Sequence, residues 1–566
     1  MERRSALVLL AVFGTGVFLA GLELMITAVA LPSILASLVD AAGSSAWIEL
    51  RKASWIINGY LLVYILTMPM AGRLTDLWGA RRLLMGALVV FIVGSALAGM
   101  AQSLDQLIAA RLVQAVGGGV LVPVGTAAAS HLFGGDARPR ALGFIGALTF
   151  LGMAAGPFLG AAILSSVHPE DALVNAGMAN SAIADILAPS WRWIFFVNIP
   201  IAVIALVVAW AAAPGWDTPR RAGRVDLLGA FLFGVALLAG LVGLTLIGTT
   251  EIAGTGLDPT TVTIVLLAIA ALSVVAFVLV GLRSTDPFID PRLFRSLPFS
   301  AATLVSALTG YAFATAIIGA AVFVDRVLYG GPSEQRLALG ALAGATAVGA
   351  LVSGFLVRAL GLRFVTLVGL ALSIGGLLAM STWTPETSIE TVALALGAFG
   401  LGFGLTVTPR STAAVEAAGR RLFGVASAVV TVARMVGMAV GLAILTAYGS
   451  TTIDRLSEQV YATPEAYLQF IPEELHGRPL RDPLVVDALE AWASREAARI
   501  MVGLFVVAAA VTAVAIPPSL VLGGRTRMLT DDAAASRAAS AGGPDPDGDA
   551  NPSEGPDGGP EAPASR

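Results

Sequence analysis

Fourteen apolar runs, each long enough to cross a bilayer, constrain this chain more than any other feature of its sequence. Inside hydrocarbon every backbone N–H and C=O must find a partner within the protein, so runs of this length fold as helices. The first opens behind Arg3 and Arg4 and continues through Glu23 to Leu38. A basic start followed by apolar residues could open a signal peptide, but no small-residue cleavage site follows, and the run reads as an uncleaved first span. The next fall at about 53–74, 83–101, 107–129, 140–165 and 192–212, then at 226–248 and 260–282. The last six fall at 299–326, 337–358, 364–382, 390–408, 423–449 and 499–522. The order is six, two, six. Only 13% of the 566 residues are charged and 57% are hydrophobic, whereas a soluble chain carries about twice that charged share. The fold class expected is an all-α polytopic membrane protein.

Arginine sets the topology. With the N-terminus inside, the inner loops hold Arg73, Arg81, Arg82, Arg138, Arg140, Arg220, Arg221, Arg224, Arg283, Arg292, Arg295, Arg410, Arg420, Arg421, Arg525 and Arg527. The outer loops hold Arg51, Lys52, Arg192 and Arg336. That bias places both termini in the cytoplasm of a cell-membrane protein. The expected domains are a six-helix bundle over 1–213, loops with two inserted helices over 214–298, and a second six-helix bundle over 299–523. Two outer segments are long, 167–190 and 450–496; the second is expected to extend its flanking helices beyond the membrane. Residues 524–566 form a cytoplasmic tail, and the Ala, Gly, Pro, Asp and Ser composition over 531–566 predicts disorder.

Several function classes are excluded. There is no cysteine, so thiolate metal sites, disulfides and thiol nucleophiles are absent. Lys52 is the only lysine, so there is no Gly-Lys-Ser/Thr phosphate loop. The three histidines are scattered and no nucleophile–base pair appears, so nothing marks an enzyme, a metal site or a cofactor. The net charge of −4 reflects acids crowded in the tail, and no basic surface for nucleic acid stands out.

Between the second and third runs lies Gly72-Arg-Leu-Thr-Asp76-Leu-Trp-Gly79-Ala-Arg81-Arg82. Its glycines allow two helix ends to approach closely, and Asp76 is placed to pair with arginine or to cap the next helix. Taken alone it also reads as an ordinary solvated turn. However, the spacing recurs in the second half as Gly354-x-Leu356-x-Arg358-x-x-Gly361-x-Arg363, with arginine at the acid's place. Gly152-Met-Ala-Ala-Gly156 is echoed by Gly437-Met-Ala-Val-Gly441, and Gly119-Val-Leu-Val-Pro123 loosely by Gly404-Leu-Thr-Val-Thr-Pro409. Ordered recurrence at long range predicts two structurally related halves.

Ionisable residues inside apolar runs are costly and need a reason to be there. Low dielectric favours the neutral form of an acid, so Glu23 is a candidate for proton exchange or substrate contact; an interhelical hydrogen bond is the structural alternative. Arg111 must find a carboxylate, carbonyls or water, and Gln114 shares its helix face. Arg434 poses the same problem in the second half. Asp325, beside Arg326, is a cavity candidate or an interface pair, and Asn58 an interhelical hydrogen bond or a cavity residue. Gly152, Gly156 and Gly160 line one helix face bent by Pro157, which suits close packing, a hinge, or both.

These motifs resemble the major facilitator superfamily up to about residue 523. Gly72–Arg82 resembles its loop between spans two and three, although Leu77 and Ala80 stand at usually basic positions. Arg111-x-x-Gln114-x-x-Gly117 resembles the span-four motif assigned to proton transfer, and Gly152-x-x-x-Gly156-Pro157-x-x-Gly160 the span-five antiporter motif of exporters. Leu22-Glu23 with Ala30-Leu31-Pro32, and Trp191-Arg-Trp-Ile-Phe-Phe-Val-Asn198-Ile-Pro200, resemble the fourteen-span drug:proton antiporter branch, where the first-span acid is usually Asp. Gly424-Val-Ala-Ser, Val432-Ala-Arg434-Met-Val-Gly-Met438, Asp325 and the long outer segment are similar to mycobacterial exporters of triacylglycerol-type lipids.

The resemblance implies two pseudo-symmetric bundles rocking about a central cavity, and proton-coupled export of a hydrophobic drug or lipid. It also implies a partner lipoprotein on the outer side. A facilitative lipid flippase or uptake permease, and a non-transporting sensor or scaffold, are the rival readings; the buried ionisable residues speak against the last.

Overall fold

The computed structural model describes residues 3–38, 55–134, 137–175, 181–212, 215–218, 220, 226–247, 257–419, 422–461, 466–479 and 482–523. Arg51, Lys52, Arg221, Arg224, Arg420, Arg421, Arg525, Arg527 and the tail lie outside them. Among the described residues there is no strand, and 13 helices are long and apolar enough to cross a membrane. In chain order they contain α1 (Arg3–Leu38), α2 (Trp55–Trp78), α3 (Ala80–Met100), α4 (Leu104–Leu132), α5 (Ala137–Ser166) and, as the last part of a span over Ser190–Ala211, α6 (Asn198–Ala211). Then come α7 (Leu227–Thr245), α8 (Pro259–Arg283), α9 (Leu297–Arg326), α10 (Pro332–Met380), α11 (Ile389–Ala418), α12 (Phe423–Tyr461) and α13 (Pro483–Val514).

Local chemistry sets several helix starts. Ser103, Asp226, Asp258 and Asp482 each accept a backbone N–H from the first turn of α4, α7, α8 and α13, satisfying donors that a helix start leaves free. At 49 residues α10 would be about 74 Å long if straight, more than twice the hydrocarbon thickness. It breaks at Gly361, whose φ is 84°. The break divides it into the two spans that a fourteen-span reading requires. Gly79, at the matching place between α2 and α3, has a φ of 93°. Both loops turn through backbone that a side chain would strain, which accounts for the repeated glycine.

The helices then pack through repeated glycine seams. A methyl group added at Gly152 would lie 2.2 Å from the Phe18 carbonyl oxygen, joining α5 to α1. At Gly437 it would lie 1.9 Å from the Ala307 oxygen, joining α12 to α9. Gly21 sits against the Thr149 oxygen and Gly310 against the Arg434 oxygen, which closes the same seams from the other side. In α4, Gly117 packs on Ala87 and Gly119 on the Tyr64 oxygen; in α11, Gly402 packs on Gly369 and Gly404 on the Thr346 oxygen. The two halves share one packing plan. The Gly152-x-x-x-Gly156 face is thus an α1 packing surface, and α5 continues through Pro157.

Helices α7 and α8 pack mainly on each other, through Gly243 against Leu266 and Leu267 and through Phe233 on Phe277. Their outer faces are apolar and open, with Leu227 and Leu272 among the most exposed large side chains, as suits a pair bathed in lipid. Between α12 and α13, the Tyr467 hydroxyl donates to the Arg478 carbonyl, and Phe470 packs on Trp492.

Three arginines expected in loops are buried in the fold: Arg73 lies inside α2 and pairs with Asp286, and the other two are Arg192 and Arg410. Arg192 is buried and donates to the Gly99 carbonyl and to Gln102. Arg410 is inside α11 and buried, because that helix continues to Ala418.

The seams make a direct stability prediction. Gly437→Ala and Gly152→Ala should each lower stability by about 1–3 kcal/mol through overpacking against a backbone carbonyl. Gly86→Ala, with nothing within 4 Å, should leave it unchanged or slightly raised. Thermal unfolding of the purified chain in one detergent compares the three.

Candidate functional site

Five helices of the first half converge on Glu23, which is fully buried near the middle of α1. Arg111 on α4 forms an ion pair with Glu23 Oε1 and also donates to Gln114 Oε1 at 2.6 Å. Asn198 on α6 donates to Glu23 Oε2 at 2.6 Å, and Thr27 donates to Oε1 from one turn along α1. Gln114 donates to Ser95 on α3, and the Arg111 guanidinium lies 4.0 Å over the ring of Tyr60 on α2. Each carboxylate oxygen is bonded, and the charge is compensated where an isolated ion would be prohibitive.

The arrangement can respond to a proton. Protonated Glu23 would no longer attract Arg111 as an ion, and α1, α4 and α6 would lose the charged bonds that join them. Asn198 and Thr27, which complete the site, carried no role in the sequence reading. The usable signal was a polar side chain inside an apolar run, as at Glu23 itself.

The second half repeats the frame but not the charges. Gly94 packs on the backbone of Gln114 as Gly376 packs on that of Phe399. Three residues before each stand Arg111 and Leu396. Two residues after Gly21 is Glu23, whereas two after Gly310 is Ala312. Instead, the second half buries Arg410, which donates to Thr309, and Arg434, whose guanidinium lies 5.5 Å from the Phe150 ring centre.

The Gly72–Arg82 stretch forms a closed seam between the halves. Asp76 accepts the backbone N–H groups of Gly424 at 3.0 Å and Val425 at 3.2 Å, which open α12. It therefore caps a helix 348 residues away in sequence rather than the next one, with its charge at the positive end of that helix's dipole. Gly72 lies against Gly424 and Ala428, and symmetrically Gly354 lies against Pro139. Arg358, at the acid's place in the repeat, is exposed, and an arginine has no acceptor with which to cap a helix start. Past Gly79, the Arg81 side chain donates to the Ala209 and Trp210 carbonyls at the end of α6, and its N–H to Asp217. Arg82 is exposed.

Two cavity candidates stand apart from the cluster. Asp325 is half exposed at the end of α9 and pairs with Arg326 at 2.9 Å. Asn58 is exposed on α2.

The sequence profile of the Major Facilitator Superfamily matches residues 13–442. The chain belongs to this superfamily. It is therefore a transporter of that family and not an enzyme. Among its superfamily relatives, a triacylglyceride transporter of Mycolicibacterium hassiacum is 31% identical over 76% of this chain and 78% of its own length. One from Mycolicibacterium smegmatis is 32% identical over 71% and 69%. Solved structures with the same fold include the human organic anion transporter MFSD10, with a TM-score of 0.57 at 15% identity over 90% of this chain and all of its own. The proton:xylose symporter XylE gives 0.55 at 12% over 91% and 97%.

Removing one partner of the Glu23–Arg111 pair should be far worse than removing both charges. Arg111→Gln should cost about 3–5 kcal/mol by leaving a buried carboxylate unpaired. Adding Glu23→Gln should restore much of that loss, as read from thermal unfolding of the single and double variants. At the seam, Asp76→Asn should weaken closure by about 0.5–2 kcal/mol. The chain has no cysteine, so Ser427→Cys introduces a single buried thiol on α12. Its maleimide labelling should speed up roughly 2- to 30-fold when Asp76→Asn is added.

Proposed function

We propose that the chain exports hydrophobic or amphiphilic compounds, lipids foremost, by proton-coupled alternating access. The observation that carries this reading is the burial of Glu23 at mid-span, bonded to Arg111, Asn198 and Thr27, with no exposed surface. Proton uptake releases Arg111 from the pair, proton loss restores it, and the helices that share the cluster follow. The contacts of Asp76 with α12 and of Gly354 with Pro139 hold one end closed in one phase of the cycle. The glycine face at Gly152, Gly156 and Gly160, with Pro157, lets α5 slide on α1 as the ends exchange.

The relatives named triacylglyceride transporters favour a lipid cargo over a drug. We place the protein in the cell membrane with both termini cytoplasmic, following the arginine bias. Its bundles span 1–213 and 299–523, the inserted pair lies within 214–298, and 524–566 is a cytoplasmic tail. The outer extension over 450–496, with α12 reaching Tyr461 and α13 opening at Pro483, is placed to hand cargo to an outer lipoprotein. The same relatives support a second reading, a lipid flippase without proton coupling.

Transport of a fluorescent acylglycerol in proteoliposomes separates the two. Imposing a pH gradient should accelerate wild-type transport, and an uncoupler should remove the gain. Glu23→Gln should respond to neither. A gradient-driven gain that persists in Glu23→Gln would overturn the coupling role, and transport indifferent to the gradient in the wild type would favour the flippase.

A further inference from the structure

Arg410 and Arg434 are two buried cations of the second half. Arg410 is 1% exposed and Arg434 8%, and among the described residues neither forms an ion pair. Arg410 has one hydrogen bond, to Thr309, and its Nη2 is buried with no partner. The backbone of Arg434 packs on Gly310, the residue after Thr309, so both arginines meet α9 at the same turn. One turn earlier the Ser306 hydroxyl oxygen is also buried without a partner. Both guanidiniums reach one ring cluster, since the Phe403 ring beside Arg410 and the Phe150 ring beside Arg434 have centres 5.5 Å apart.

What surrounds them is aromatic. The Arg410 guanidinium lies 5.1 Å from the Phe403 ring centre and that of Arg434 5.5 Å from Phe150. Phe150 packs on Phe313 and Phe403, and those two stack at 4.6 Å. Phe150 comes from the first half and the others from the second, so the rings lie where the halves meet. Cation–π attraction offsets only part of what burying two uncompensated charges costs. A single anionic group between them would supply the missing charge and take up the free Nη2, since guanidinium donors suit carboxylate and phosphate oxygens.

We infer that Arg410 and Arg434 bind the anionic head group, carboxylate or phosphate, of an amphiphilic cargo whose apolar chain lies along Phe150, Phe313 and Phe403. This rests on the transport reading above but not on proton coupling. The ester carbonyls of a neutral acylglycerol could accept from the same donors but would leave the charge uncompensated, so an anionic lipid should bind more tightly than a neutral one. Arg410 is a binding residue of this site, and Thr309 positions it.

Binding of radiolabelled oleate to the full chain in neutral-lipid nanodiscs tests the inference. It is measured at one pH without a gradient, so a failure of proton coupling leaves it untouched. Oleate should bind at least about tenfold more tightly than oleyl alcohol, the worth of one charge-assisted hydrogen bond. Arg410→Gln and Arg434→Gln should each abolish that preference, whereas Arg410→Lys should keep part of it. Without ligand, Arg410→Gln should melt at a higher temperature than wild type, because an unpaired buried charge is gone; an arginine with a purely structural role would give the opposite sign. Equal affinity for acid and alcohol in the wild type, which needs no variant, would overturn the site. So would an acid preference that survives both Gln substitutions. Inorganic phosphate competing as well as oleate would assign the cluster to a free ion and overturn the amphiphile.

Discussion

A helix in a bilayer gains little by turning apolar side chains toward a neighbour, since lipid offers the same environment. Close backbone contact and polar bonds must hold the bundle, and here glycine supplies the first. The carbonyl oxygens of Phe18, Thr149, Ala307 and Arg434 occupy space that a side chain on the facing helix would need. The ionisable cluster of the first half lies beside such contacts. Gly21 stands two residues from Glu23, and Gly94 packs on the backbone of Gln114, so the ionisable cluster is positioned by the contacts that join the helices. A shift at either seam would carry a carboxylate or a guanidinium with it.

The frame is duplicated while the chemistry is not. The first half carries a compensated pair, Glu23 with Arg111, among hydrogen-bonding side chains. At the corresponding places the second half carries Ala312 and Leu396, and it buries two arginines beside phenylalanines. In the mechanism proposed above, this division gives the proton to one half and the ligand to the other. The closed seam shows the same economy. Asp76 meets a helix start, where a negative charge is favoured, whereas the arginine at the matching place, Arg358, would carry the wrong sign for that contact.

Much of this was legible in the sequence, for physical reasons. Apolar length reveals spans, and a mid-span acid or arginine stands out because burying it is costly. The glycine recurrences announced the duplicated frame, down to Gly79 and Gly361 turning with the same sign of φ. Other features were hidden. Arg410 stands just past the end of an apolar run, where hydropathy cannot tell a buried helix end from a loop. Asn58 and Asp325 could be assigned only to their spans, because helices apolar on every side give no periodic signal for their inner face. The partner of Asp76 lies 348 residues away, and no local pattern points to it.

The amino-acid sequence alone determined that this chain spans a membrane as helices, in two related halves, with Glu23, Arg111 and Arg434 inside apolar segments. Those are consequences of composition and order, since hydrocarbon tolerates neither unpaired backbone nor stray charge. The tertiary structure alone decided that Glu23 is matched by Arg111 and Asn198 while Arg410 and Arg434 meet no acid among the described residues. Charge pairing depends on which helix faces meet across the bundle, and those faces are chosen by glycine seams between segments hundreds of residues apart.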